Sequence, residues 1–556
     1  MASAALYGGR AKHATACYAW RLGRRGPKWQ YTGQTMRTHK LLATVAGLMY
    51  VSPGQAQSSK GPFQIMETTI DDVHAAYKSG KLTARQLVQG YLDRINAYDK
   101  QGPRINSIIT LNPKALEEAD RLDAQYKNSG LAGPLHGIPV LVKDEIDTAG
   151  MPTTLGSVLF RDYRPPLDAF VVARLKKAGA IILGKTTLGE FASGDTYGSL
   201  FGVTRNPYDL ERTAGGSSGG SGAATAANFS TVAVGEETGA SLRRPGSWNG
   251  IVAMRPTSGL VSRSGMYDGY PSESPTMGPM ARTVRDLAQL LDVMVGYDPE
   301  DPQTALGVGH VPETYTKFLE RNGLKGARIG VLRESIGTAS EPGSDDFKKV
   351  NAVFEKNIAE LKSLGAVLTD PVVIPGLREL LAKQAGNSAI TGEALRVWLG
   401  RNPASAFKTR EDIQKSPDVD KIFPRTVALW KATAVDPDLA KYGEYLAARN
   451  HLMINLMKVM ADDNLDAIVH QSVEHQPTLI KDGTNPPYVT NKGVPTLNTF
   501  LVFVSAITVP SGFTTDNLPT GITFLGKPYS EPALIKLAYS YEQSTRHRAP
   551  PKATAK

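Results

Sequence analysis

The chain has 556 residues, enough to bury a large core, and its 41% apolar and 21% charged residues are those of a soluble globular protein. Its net charge of +10 is confined to the head: no Asp or Glu precedes Glu67, whereas Arg10, Lys12, Arg21, Arg24, Arg25, Lys28, Arg37, Lys40 and Lys60 all do. Setting those nine aside leaves 54 basic residues against 53 acidic, so the body has no basic excess and nucleic acid is excluded as a partner.

Residues 1–35 read as an over-extended start. From Met36, the basic Arg37, His39 and Lys40 precede an apolar run from Leu41 to Val51 and then Gly54, Gln55 and Ala56. That order predicts a signal peptide over 36–56 and an exported protein, periplasmic or secreted. An Arg-rich, acid-poor head also suits an organellar transit peptide, the alternative localisation. The apolar run is too short for a membrane span, which needs ~20 residues, so no stable membrane insertion is expected. Cys17, the only cysteine, lies in the head, leaving a processed chain without a disulfide or a thiolate nucleophile.

Beyond the head, helical and strand patterns alternate. Thr83 is placed to cap a helix whose apolar face is Leu87, Val88, Tyr91, Leu92 and Ile95. The run from Ile138 to Val142 reads as a buried strand ending on Lys143, Asp168 to Gly179 as a helix, and Ala180 to Leu183 as a second strand. Helices are predicted over Asp345 to Leu364, Leu439 to Met460 and Glu531 to Arg546; strands over Asp466 to His470, Leu501 to Val509 and Gly521 to Leu525. Helices alternating with fully apolar strands imply a single large α/β/α domain with a central mixed sheet covered by helices. The domain is expected over 62–548, with 549–556 a tail and about 370–440, the least regular part, a peripheral helical insertion.

The glycines concentrate between Ala214 and Gly246, in AGGSSGGSGAATAANFSTVAVGEETGASLRRPG. A flexible linker is one reading, but the segment runs directly into the helix-prone Ala223 to Ala227 and the strand-like Thr231 to Val234. A nucleophile elbow is another, since Gly216-Ser217-Ser218-Gly219-Gly220 fits G-x-S-x-G, with His470, His475 or His547 as base. That motif needs a buried strand before it, and Asn206 to Thr213 is polar and turn-rich.

The segment as a whole resembles the signature of the amidase signature family. The likeness covers Gly215 to Gly220 and Gly235-Glu-Glu-Thr-Gly-Ala-Ser-Leu-Arg-Arg-Pro245, with the 24-residue gap from Ser217 to Ser241. It extends to Gly133 to Asp144, Gly184 to Thr186, Arg255 to Thr257, Gly278 to Thr283, Gly326 to Val331, Val509 to Phe513 and Leu518 to Gly521. The resemblance implies Ser241 as nucleophile, Ser217 as a bridging serine on a cis peptide, and Lys143 as base. It also implies an oxyanion hole from the backbone N–H groups of Thr238, Gly239, Ala240 and Ser241. Ser218 is expected to support Lys143 by a hydrogen bond, and Arg243 to pair with Glu237. The methyl of Ala240 is expected to narrow the acyl site.

Amide hydrolysis needs a nucleophile, a proton carrier and oxyanion donors, and a lysine base must be neutral. At the end of an apolar strand, desolvation should lower Lys143 from ~10.4, so that kcat/KM rises with pH through an apparent pKa of ~7–8.

Two further patterns are decoys. Gly179 to Thr186 matches G-x(4)-G-K-[ST], but the four variable residues are themselves the strand, so no nucleotide is expected. His470 and His475 lack a third ligand, and no metal or other cofactor is expected. The function implied is a serine amidase acting on a small-molecule carboxylic amide, for which a homodimer is allowed. One alternative is the amidase component of a tRNA-dependent amidotransferase; another is a catalytically silent binding protein on the same fold.

Overall fold

The computed structural model describes residues 63–384, 389–432 and 438–555. The predicted signal peptide, its over-extended start and Cys17 lie outside the described residues. Eleven strands form one mixed sheet: β1 (Ile108–Leu111), β2 (Pro139–Lys143), β3 (Ile181–Thr186), β4 (Val232–Glu237), β5 (Val252–Arg255), β6 (Thr276–Ala281), β7 (Arg328–Leu332), β8 (Val367–Val372), β9 (Ala467–Gln471), β10 (Ala506–Phe513) and β11 (Pro519–Leu525). Their order across the sheet is β1-β3-β2-β4-β6-β5-β10-β11-β9-β7-β8. β2 runs parallel to both β3 and β4, and β7 parallel to both β8 and β9; the other neighbours are antiparallel. Helices cover this sheet, as the alternating pattern requires.

Local sequence explains most elements. Thr83 caps the helix Ala84–Arg94 with a reciprocal box, its Oγ accepting from Gln86 N–H while Gln86 Oε1 accepts from Thr83 N–H, at 3.1 and 2.9 Å. Leu87, Val88, Tyr91 and Ile95 are buried on its inner face. Every residue of β2, β3 and β4 is buried, which is why these strands read as continuous apolar runs rather than alternating ones.

Two readings differ from the structure. The apolar run from Leu501 becomes strand only from Ala506: Asn498 Nδ2 donates to the carbonyls of Leu501 and Val504 at 3.1 and 2.9 Å, folding that part into turns that bury Leu501, Val502 and Val504. The polar stretch before the glycine segment forms a hairpin, Arg205–Asn206 with Asp209–Thr213, separate from the main sheet. The phosphate-loop match is β3 itself, with Lys185 buried in an ion pair to Asp144 at 3.0 Å.

Candidate active site

β2 and β4 lie side by side in parallel, with Val142 opposite Val234, so β4 runs two residues past the carboxyl end of β2. Lys143 closes β2, and Glu236 and Glu237 close β4. The glycine segment enters over this edge. The Gly216–Ser217 peptide is cis, and Ser217 to Gly220 leads into the helix Gly219–Ala226, all of it buried. A Cβ on Gly216 would stand 2.2 Å from the carbonyl oxygen of Gly194, and one on Gly220 2.3 Å from that of Thr187. Backbone therefore occupies the space where a side chain would sit, which is the physical need for glycine here. Arg244 braces the turn, its guanidinium donating to the carbonyls of Gly216 and Gly194 at 2.7 and 2.8 Å and pairing with Asp195 at 3.1 Å.

At the strand ends, Lys143 Nζ lies 2.7 Å from Ser217 Oγ, 2.7 Å from Glu236 Oε2 and 2.9 Å from Glu145 Oε1. Lys143 and Glu145 are 0% exposed and Glu236 3%. Desolvation acts on Lys143 as the strand pattern predicts, pulling it down, but the carboxylates of Glu145 and Glu236 outweigh it and hold the amine above the usual lysine range. Glu145 is driven well above the usual glutamate range by burial and by Glu236, against the attraction of Lys143.

Between β4 and the helix Arg243–Trp248, residues 238–241 form a short loop. Glu237 ties its two ends: the carboxylate accepts from the N–H groups of Leu242 and Arg243 at 3.0 and 3.1 Å and from the Arg243 guanidinium at 2.8 Å. The expected Arg243–Glu237 pair is thus present. Among the described residues, no protein acceptor takes the N–H groups of Thr238, Gly239, Ala240 or Ser241. Ser241 sits over the glycine turn, its carbonyl accepting from Ser218 N–H at 3.3 Å. Next to Thr238 opens a cavity of about 160 Å³, lined also by Asp268, Ser272, Glu273, Tyr442, Tyr445 and Arg449.

Ser218 differs from expectation. Its hydroxyl donates to the Glu236 carbonyl at 2.9 Å and accepts from Glu236 N–H at 3.2 Å, so it fixes the end of β4 and leaves Lys143 to the two glutamates. The methyl of Ala240 packs with Trp248, Val473 and Val494. The histidines have other partners. His475 bonds Asp346 at 2.7 Å, His547 bonds Glu360 at 3.0 Å, and His470 Nδ1 meets the Gln471 carbonyl at 2.7 Å. Burial and the nearby Arg243 hold His470 down at about 3.

The sequence profile of the Amidase family matches residues 86–535. The chain belongs to the amidase signature family. Its curated relatives include a glutamyl-tRNA(Gln) amidotransferase subunit of Alkaliphilus metalliredigens, 34% identical over 86% of this chain and 97% of the relative. The fold is similar to that of the native peptide amidase from Stenotrophomonas maltophilia, with TM-score 0.78, 34% identity, and 88% and 99% of the two chains covered. It is also similar to the corresponding glutamyl-tRNA(Gln) amidotransferase subunit of Thermotoga maritima, with TM-score 0.66, 27% identity, and 88% and 98% covered.

These relatives correct the localisation. The expected export, periplasmic or secreted, is not supported: relatives 34% and 33% identical over 86% and 85% of the chain are glutamyl-tRNA(Gln) amidotransferase subunits. Among the described residues, no helix is long and apolar enough to cross a membrane.

Two neighbours of Lys143, Glu145 and Glu236, are not singled out by the sequence reading. The signal was local: Glu145 stands two residues beyond the strand-end lysine and Glu236 directly precedes Glu237. Nothing in the linear order shows that both turn onto the same amine, because β2 and β4 are separated by 88 residues.

Proposed function

We propose that the chain is a serine amidase that hydrolyses a carboxylic amide C–N bond through an acyl-enzyme on Ser241. The observation that carries this reading is the buried 2.7 Å contact between Lys143 Nζ and Ser217 Oγ beneath the loop bearing Ser241. Ser241 Oγ attacks the amide carbonyl as its proton passes to Ser217 and the proton of Ser217 passes to Lys143. The developing oxyanion is met by the unpaired N–H groups of residues 238–241, fixed in advance by the Glu237–Arg243 clamp. The proton then returns through Ser217 to the leaving nitrogen, the C–N bond breaks, and water releases the acid. The cavity beside Thr238 receives the part of a small-molecule substrate next to the scissile bond.

A second reading, the amidase component of a tRNA-dependent amidotransferase, is favoured by the names of the 34%-identical relatives. The likeness in fold leans the other way, with TM-scores of 0.78 to a peptide amidase and 0.66 to an amidotransferase component. The test is labelling with a serine-reactive fluorophosphonate, followed by a panel of peptide amides, aryl amides, short fatty amides and simple carboxamides. Ser241→Ala is expected to abolish labelling and to cost at least ~10³-fold in turnover while leaving the fold intact. Label on Ser218, with activity retained in Ser241→Ala, would overturn the assignment in favour of the elbow. Turnover of glutamine alone, and only with a partner protein, would establish the second reading.

A further inference from the structure

A charged lysine has three N–H protons and no lone pair. Lys143 has three oxygen atoms around it, on Ser217, Glu236 and Glu145, at 2.7, 2.7 and 2.9 Å. In that state the amine donates to Ser217 and cannot take the proton that Ser217 must pass on. In water a lysine outcompetes a glutamate for a proton by about six pKa units. Here all three groups are shut away from solvent, and burial penalises both charges of an ion pair while sparing the amine–carboxylic acid pair. Two carboxylates packed on one ammonium also resist ionising together, so the trio retains a second proton.

We infer that Glu145 and Glu236 are the proton store of the serine–lysine relay: with Lys143 they hold two protons over three sites, and transfer of the lysine proton to Glu236 frees Lys143 to act as base. This rests on the assignment of Ser241, Ser217 and Lys143 made above. In the resting tautomer Lys143 is an ammonium, Glu236 a carboxylate and Glu145 a carboxylic acid. The N–H bond to Glu236 breaks, an O–H bond forms on Oε2, and the trio remains neutral as a free amine with two carboxylic acids. As the Ser241 Oγ–C bond forms and the carbonyl π pair moves to oxygen, the proton of Ser241 goes to Ser217 and that of Ser217 to Lys143. The new ammonium, balanced by the oxyanion, gives its proton back through Ser217 to the leaving nitrogen when the C–N bond breaks. Both glutamates act through Lys143 and are positioning residues.

Other contacts keep the store in place. Thr238 Oγ1 donates to Glu236 Oε1 at 2.8 Å, joining it to the loop that carries Ser241. Tyr267 N–H donates to the Glu145 carbonyl at 3.0 Å. Among the described residues, Asp268 and Arg255 also interact electrostatically with Glu236, and Tyr267 with Glu145.

The test is the rate of fluorophosphonate labelling of Ser241 in the full chain as a function of pH, which needs no knowledge of the substrate. In the wild type, loss of the second proton leaves Lys143 locked as an ammonium between two carboxylates, so the rate falls as pH rises on the alkaline side. Glu145→Gln leaves one carboxylate. Gln resembles the resting acid but has no proton to lose, so the alkaline falling limb is expected to disappear and the profile to level off. Glu145→Asp restores the falling limb, whereas Glu236→Gln removes the acceptor of the lysine proton, so its rate is expected to drop about a hundredfold at neutral pH and to rise with pH as Lys143 deprotonates. A purely structural role would lower the rate at every pH and leave the profile unchanged. A wild-type rate that climbs steadily with pH, and keeps that shape in Glu145→Gln, overturns the inference while Ser241 labelling preserves the parent assignment. Absence of label on Ser241 overturns both. The wild-type profile decides the matter even where a variant fails to fold.

Discussion

Lys143 shows how one residue's chemistry is set by neighbours that are remote in the chain. A strand-end lysine stripped of water should be easily neutralised, yet the same burial that removes water also brings Glu145 and Glu236 to within 2.9 Å of its amine. Charge complementarity then outweighs desolvation. Replacing Lys143 with Ala removes the relay's only amine, and labelling and turnover should fall by ~10³-fold or more, leaving slow hydroxide-dependent reaction. Lys143→Arg should not restore them, since a guanidinium stays charged across the working pH range. His470→Ala, His475→Ala and His547→Ala should each retain most activity, because each ring has other partners and none hydrogen-bonds Lys143, Ser217 or Ser218. A histidine variant as inactive as Ser241→Ala, with Lys143→Ala near normal, would refute the lysine-centred relay.

At the scale of elements, the glycine segment was legible as more than a linker because a helix and a strand follow it without a break. Its close packing was not legible, since the atoms that forbid a side chain on Gly216 and Gly220 belong to Gly194 and Thr187, outside the segment. At Gly220 the obstructing atoms include the Thr187 backbone, which cannot swing aside as a flexible side chain could. Gly220→Ala should therefore displace the turn that holds Ser217 and Ser218. The expected outcome is a loss of about 1–3 kcal/mol in urea unfolding, with Ser241 labelling reduced more than stability alone explains. An unchanged melt and unchanged labelling would show that the turn tolerates the extra methyl. The run from Leu501 makes a related point: apolar composition predicted burial correctly, but two hydrogen bonds from Asn498 decided that its first residues turn instead of extending.

Across the whole molecule, the closing helix Glu531–Thr545 is bound to the rest of the domain through a half-buried acid. Glu542 Oε1 accepts the N–H of Val284, first residue of the helix Val284–Met294, at 2.7 Å. Burial pushes Glu542 up to about 7. A group whose folded pKa is raised stabilises most fully below its unfolded value, and that stabilisation is lost as pH rises through the folded one. The Tm of the wild type should accordingly decline as pH rises through about 7, and Glu542→Gln, which has no proton to lose, should flatten part of that decline in calorimetry. At the other end of the scale, Glu67 is held down at about 2: burial alone would raise it, but its pair with Arg548 at 2.7 Å prevails. The stabilisation from that pair is full above the usual glutamate range and is lost as pH falls from there through about 2, so acidification should loosen the hold on the C-terminal residues.

The sequence by itself determined the fold class, the run of buried strands, the caps and the candidate constellation of Lys143, Ser217 and Ser241. Those features rest on local periodicity, on side-chain propensity and on a motif whose spacing is written along the chain. Only the tertiary structure decided what surrounds the lysine, where Ser218 and Ala240 direct their side chains, and that residues 238–241 keep their N–H groups unpaired among the described residues. Each of those depends on β2 and β4 meeting edge to edge, and a through-space contact between distant strands leaves no periodic trace in either one. Electrostatics in particular follow distance after folding, and the 88 residues between the two strands become less than 3 Å between an amine and a carboxylate.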